Sequence, residues 1–73
     1  MIKYLIYVNS EEKPFHTFES SYEFVKFKNV GNVIFVKKEG KIHSLTISKI
    51  DTHVINEEGH FVRIDCKFNK LFS

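Results

Sequence analysis

The sequence predicts an α+β fold: a small, mainly antiparallel sheet of about five strands with one short helix. An all-β small barrel is the alternative. Three observations lead there. Residues 2–8 form an apolar run of β-forming side chains. Two later stretches, "VIFVKKEGKIHSLTI" and "HVINEEGHFVRIDCKF", each set Glu-Gly between arms rich in β-branched and aromatic residues. Gly31, Gly40, Gly59 and the single Pro14 all fall between apolar runs, where turns belong.

In the first element, Ile2, Tyr4, Ile6 and Val8 share one face of a strand, and Lys3, Leu5 and Tyr7 share the other. Apolar groups on both faces mark an interior or covered strand. "NSEEKP", residues 9–14, reads as a loop. Across 20–30, Ser20 and Glu23 are spaced as a capping box and Gly31 stands where a helix-terminating glycine belongs. A short helix lying on the sheet is the expectation, although Tyr22, Phe24, Val25, Phe27 and Val30 do not gather on one helical stripe. Beyond Asn32, two hairpins with three-residue loops would hold Gly40 and Gly59 in the left-handed region. That register puts His43 opposite Phe35, on a face shared with Val33, Leu45 and Ile47.

Seventy-three residues make a single domain, 1–73. A domain near this size buries only about 60% of its unfolded surface, and its core rarely supplies more than about 3–5 kcal/mol. Eight Phe and three Tyr point to a Phe-rich core. The lone Cys66 allows no intrachain disulfide, so self-association, as a homodimer, is expected to supplement that core. No stretch reaches the roughly 18 apolar residues of a membrane span, and the start lacks a signal-peptide core. With a single cysteine, a cytoplasmic protein is the expectation.

The net charge of +2 carries little information about function. Of the eleven basic residues only Arg63 is arginine, and the chain lacks Ala, Trp and Gln while favouring Lys, Ile, Phe and Asn. A/T-rich codons produce that bias without selection for basicity. Low-GC bacteria, their phages and their plasmids are fitting sources.

"HFVRIDCKF", residues 60–68, places a histidine, an arginine, an aspartate and the cysteine close together. Strand alternation sets His60, Val62, Ile64, Cys66 and Phe68 on one face and Phe61, Arg63, Asp65 and Lys67 on the other. His60 and Cys66 then lie about 20 Å apart, too far for a nucleophile and its base. Flanked by Ile64 and Phe68, Cys66 reads as a small buried hydrophobe. A loop at 57–59 would pair Thr52 with Ile64 and bring Asp51 opposite Asp65, near the carboxylate spacing of a retaining glycosidase. Lys49, Arg63 and Lys67 would neutralise that pair, and so short a chain offers no deep water-excluding cleft. The four histidines and one cysteine lack the paired spacing of zinc ligands, and the glycines form no phosphate loop. No enzyme, metal or cofactor is predicted.

Binding residues remain. Lys37, Lys38 and Lys41 crowd the first hairpin tip, and Phe61, Arg63 and Lys67 share one face of the last strand. Phe61 with its diagonal neighbour Ile55 would form an exposed apolar patch rimmed by charge, the signature of a protein contact. The leading expectation is a small cytoplasmic protein-binding regulator or inhibitor, of the sort phages and mobile elements encode. It would occlude a partner surface through its sheet face or an exposed edge strand. The alternatives are a module for single-stranded nucleic acid using Lys37, Lys38, Lys41, Phe61, Arg63 and Lys67, and a self-assembling structural subunit.

Overall fold

The structure, a computed structural model, describes residues 2–56 and 59–72, with the backbone alone described for 53–56. It is a single five-stranded sheet curled into a half-barrel, with one turn of helix at its open side. The elements are β1 (Ile2–Val8), β2 (His16–Ser20), α1 (Glu23–Lys26), β3 (Val33–Lys38), β4 (Lys41–Asn56) and β5 (Gly59–Phe72). Their order in the sheet is β2-β1-β5-β4-β3. All neighbours are antiparallel except β1 and β5, which run parallel at the centre.

Small and β-rich is therefore the right class, and the α+β label overstates the helix. α1 spans four residues, with Tyr22 at its N-cap position and no side-chain cap. Ser20 belongs to β2, so the expected capping box does not form. The reason lies in the apolar pattern: a helix continued through Val30 could not have buried Phe24, Val25, Phe27 and Val30 together. The chain buries Val25 and half-buries Phe24, and leaves Phe27 and Val30 in solvent.

β4 and β5 run 16 and 14 residues, and their pairing is interrupted between Ser44 and Leu45, Ile47 and Lys49, and Asp51 and Val54. Each irregularity adds local bend and twist, which curls so long a ribbon. The interruption after Asp51 lies within the continuous strand β4. The concave side collects Tyr4, Ile6, Val8, Ile34, Val36, Leu45, Ile47, Val62, Ile64 and Cys66. Tyr4 anchors the aromatic corner. Its ring stacks on Phe18 at 5.0 Å, Phe24 meets both rings edge-on, and its hydroxyl donates to the Ser21 carbonyl at 2.7 Å.

Both hairpins depart from the expected register. Glu39 and Gly40 both have positive φ, 55° and 77°, and Lys38 pairs with Lys41. That is a two-residue turn of the primed type, whose twist matches the strands it joins. His43 therefore faces Val36, and Phe35 faces Ser44. A one-residue change of register sends alternate side chains to the opposite face. Val33 and Phe35 consequently point outward, while His43 stays with the concave side. In the second hairpin Gly59 pairs with Asn56, His60 with Ile55 and Phe61 with Val54. The interruption after Asp51 then sets Asp51 opposite Arg63 and Lys49 opposite Asp65. The expected Asp51–Asp65 pair does not form.

Candidate functional site

The sequence-predicted binding residues do not form one site. Lys37 and Lys67 are exposed on the outward face, and Lys41 is exposed beside the turn. Lys38 is partly buried: its ammonium donates to the Phe15 carbonyl at 2.7 Å and sits 4.2 Å from the Phe15 ring centroid. Phe61, expected to be exposed, is only 6% accessible. It occupies the middle of the sheet, with Val54 paired on one side and Lys3 on the other, and the Lys3 ammonium lies 5.8 Å from its ring. The Ile55 side chain lies outside the described residues, so of the expected Phe61–Ile55 patch only Phe61 is placed, and it is buried.

Arg63 is also occupied. Its guanidinium stacks 3.9 Å from the Tyr7 ring centroid and donates through Nε and Nη2 to the Asp65 carboxylate at 3.2 and 3.1 Å. Cys66 is buried, and desolvation, aided by the Asp65 charge, pushes its thiol up to about 11. A thiol so held stays neutral near pH 7 and is a poor nucleophile. Among the described residues, no group of three His, Cys, Asp or Glu side chains is placed to hold a metal ion. Among the described residues, no helix is long and apolar enough to cross a membrane.

Among the described residues, two surfaces on β3 bring exposed apolar and basic side chains together. The first is a cleft of about 530 Å³ between β3 on one side and β2 with α1 on the other. Ile6, Phe18, Phe24, Ile34 and Val36 give it apolar walls, and His16, Lys28 and Lys37 bring basic groups. Val33, Ile34, Phe35, Val36 and Lys37 all line it. Consecutive residues point to opposite faces of a strand, so a cavity touched by five in succession runs along the strand's edge.

The second surface is the outward face where β3, β4 and β5 lie side by side. Their register sets three rows of three: Lys37, Ile42 and Phe72; Phe35, Ser44 and Lys70; Val33, Thr46 and Lys67. Phe35 and Phe72 lie diagonally, ring centroids 6.2 Å apart, with the Lys70 ammonium 4.8 Å from the Phe72 ring. Asn69, the extra residue at the β5 irregularity, ties the middle rows together. Its amide donates to Ser44 Oγ at 3.3 Å and its carbonyl accepts from Thr46 Oγ1 at 3.0 Å. The grid holds three lysines and no carboxylate.

Sequence reasoning missed Phe35, Phe72 and Lys70 on this face, and the cleft residues Phe18, Phe24 and Lys28. For Phe35 a signal was present: Glu-Gly read as a two-residue primed turn turns Val33 and Phe35 outward. For the cleft none was, because it depends on β2 and α1 being carried across the sheet to face β3.

No protein-family model, curated protein or solved structure matches this chain. The functional reading rests on the geometry alone.

Proposed function

We propose that the protein is a small protein-binding regulator, of the kind phages and mobile elements encode in the cytoplasm, that captures an extended segment of its partner on the free edge of β3. One observation carries this reading: β3 ends the sheet, and its edge runs along a cleft with apolar walls. In an antiparallel ladder, alternate residues aim their backbone groups at the neighbouring strand and away from it. A two-residue hairpin makes Lys38 and Lys41 a hydrogen-bonded pair. Counting back by twos, Ile34 and Val36 bond β4, and Val33, Phe35 and Lys37 direct their N–H and C=O groups at the cleft.

An added strand would take those backbone groups for affinity and use the cleft wall for specificity. Its apolar side chains would meet Ile34, Val36, Phe18 and Phe24. Lys28, Lys37 and His16 favour acidic flanks. Two copies joined edge to edge through β3, the homodimer expected from the size of the chain, would compete with the partner for this edge.

The test separates backbone from side chain at one position. Phe35→Pro removes an edge N–H without removing a bond to β4, whereas Phe35→Ala removes the ring and keeps the N–H. In affinity capture from a low-GC bacterial lysate, the partner should be retained by Phe35→Ala and lost by Phe35→Pro. On binding, the amides of 33, 35 and 37 should gain protection from hydrogen exchange. Equal retention by both variants, with no added protection, would refute capture on the edge.

A further inference from the structure

We infer that the outward β3–β4–β5 grid is a binding platform for single-stranded nucleic acid, at a surface that adjoins the strand edge proposed above and shares Val33, Phe35 and Lys37 with its cleft. Two requirements of such a ligand meet here. Bases need exposed ring faces to stack on, and the phosphodiester chain needs cations along its track. Phe35 is 63% exposed and Phe72 39%, and they stand on adjacent rows at opposite sides of the grid. Lys37 flanks one end, and Lys70 and Lys67 continue down the β5 side.

Rigidity supports the assignment. The platform lies on three hydrogen-bonded strands, with Ser44, Thr46 and Asn69 locked beneath the rings. Ser44, itself buried, and Thr46 are tied together by Asn69, and beside them the two rings and the Lys37, Lys67 and Lys70 side chains reach solvent. The first two rows each hold one ring and one lysine, on opposite strands, and the third holds Lys67, so bases and phosphates can be engaged side by side along the grid.

Charge decides between this occupant and a second copy of the chain. A two-fold dimer through the same face would bring the Lys37, Lys67 and Lys70 set of one protomer against its own equivalent. With no carboxylate in the grid to pair them, that contact opposes itself. The same lysines complement a polyanion, and the two rings prefer one that carries bases over an acidic peptide.

Fluorescence anisotropy of labelled oligo(dT) and oligo(U), at 50 and 200 mM salt, tests the proposal on the full chain. Three neutralised phosphates give a slope of about −2 in log K against log salt, so affinity should fall roughly tenfold to twentyfold between those salts. Phe35→Ala and Phe72→Ala should each weaken binding by roughly 5- to 100-fold, the range for losing one stacked base. Lys67→Glu and Lys70→Glu should weaken it further, while Lys28→Glu, which lies on the cleft alone, should leave it within about twofold. All five side chains project from the surface, and circular dichroism and melting of each variant verify the fold.

Absence of binding at 50 mM salt overturns the proposal. So does equal competition by oligoglutamate, which would make the face an acidic-protein site. A Lys28→Glu loss as large as that of Lys67→Glu would move the site to the cleft. A dimer in light scattering that Phe72→Ala converts to monomer, without oligonucleotide binding, would make the face a self-interface. The edge reading stands or falls separately, on Phe35→Pro against Phe35→Ala.

Discussion

The Lys38 ammonium donates to the Phe15 carbonyl at 2.7 Å while lying 4.2 Å from the same residue's ring. This one side chain bridges the gap between β3 and the segment leading into β2, which are not neighbours in the sheet. It closes the half-barrel at one end, and the gap widens into the cleft at the other. Hydrogen bonds to charged groups contribute about 1.5–3 kcal/mol, and an exposed cation–π contact about 0.5–1 kcal/mol. Lys38 is only partly buried, which reduces both. Lys38→Met should therefore cost about 1–2 kcal/mol in urea unfolding, with an unchanged m-value. Lys37→Met, one residue away and exposed, should change stability by less than about 0.5 kcal/mol. Equal effects at the two positions would remove the seam from the account.

Cys66 makes stability depend on pH in a defined window. Its thiol titrates near 9.0 in the unfolded chain and at about 11 in the fold, because burial and the Asp65 charge both disfavour the thiolate. As pH rises past 9, the unfolded chain releases a proton that the folded chain keeps, so unfolding becomes easier up to about 11. Well below pH 9 the thiol is protonated in both states and contributes no slope. The comparison is with Cys66→Val, which removes the thiol and leaves every other titratable group in place. Between pH 8 and 10.5 the wild type should lose more stability than the variant, read from urea midpoints. A thiol reagent at pH 8 should label Cys66 only at the rate of unfolding. Rapid labelling of the native protein would contradict the buried placement.

The adjacent residues Ile64 and Arg63 should differ sharply. Ile64 is fully buried on the concave side, and truncation to Ala should cost about 2–5 kcal/mol. A domain this small holds about 3–5 kcal/mol in all, so much of that variant should be unfolded at 25 °C. Arg63 has a 42% exposed side chain, and solvent screens its pair with Asp65. Arg63→Ala should cost less than about 1 kcal/mol and shift little in 1 M salt. Urea melts of both variants measure the contrast. An Arg63→Ala loss as large as that of Ile64→Ala would mean that the Tyr7–Arg63–Asp65 stack carries the outer side of the sheet.

That contrast also marks how far the sequence was legible. The alternation in β5 correctly put Val62, Ile64 and Cys66 on the buried side, because a strand's period of two is written in every residue. The predominance of antiparallel pairing was legible too, while the number of strands agrees only because β4 is one strand where two were expected, which offsets the missed β2. The parallel pairing of β1 with β5 joins residues almost a full chain length apart, and no local pattern encodes it. It is this pairing, with Lys3 laid beside Phe61, that buries a ring whose neighbours in sequence are all polar or charged on its face. β2 was missed because "HTFES" offers only Phe18 as an apolar anchor, and that ring is held by Tyr4 and Phe24 from elsewhere in the chain. The error with the largest effect on the candidate site was the smallest: one residue in the first turn, which hid Val33 and Phe35 on the wrong face.

That turn makes its own prediction. Glu39 holds φ at 55° and is not glycine, a conformation in which its Cβ is crowded by the backbone. Gly40 at 77° carries no such cost. Primed two-residue turns favour Asn-Gly, since asparagine tolerates the left-handed region better than glutamate does. Glu39→Asn should therefore stabilise the protein by about 0.5–1 kcal/mol, and Glu39→Val should destabilise it by at least as much. At this chain length, 1 kcal/mol moves the melting temperature by about 4–8 °C, within reach of a calorimeter. The substitution also tests register. A three-residue loop would place position 39 elsewhere in the turn and give Asn no advantage. If Glu39→Asn melts at or below the wild-type temperature, the two-residue turn is wrong, and the outward placement of Phe35 that depends on it is wrong as well.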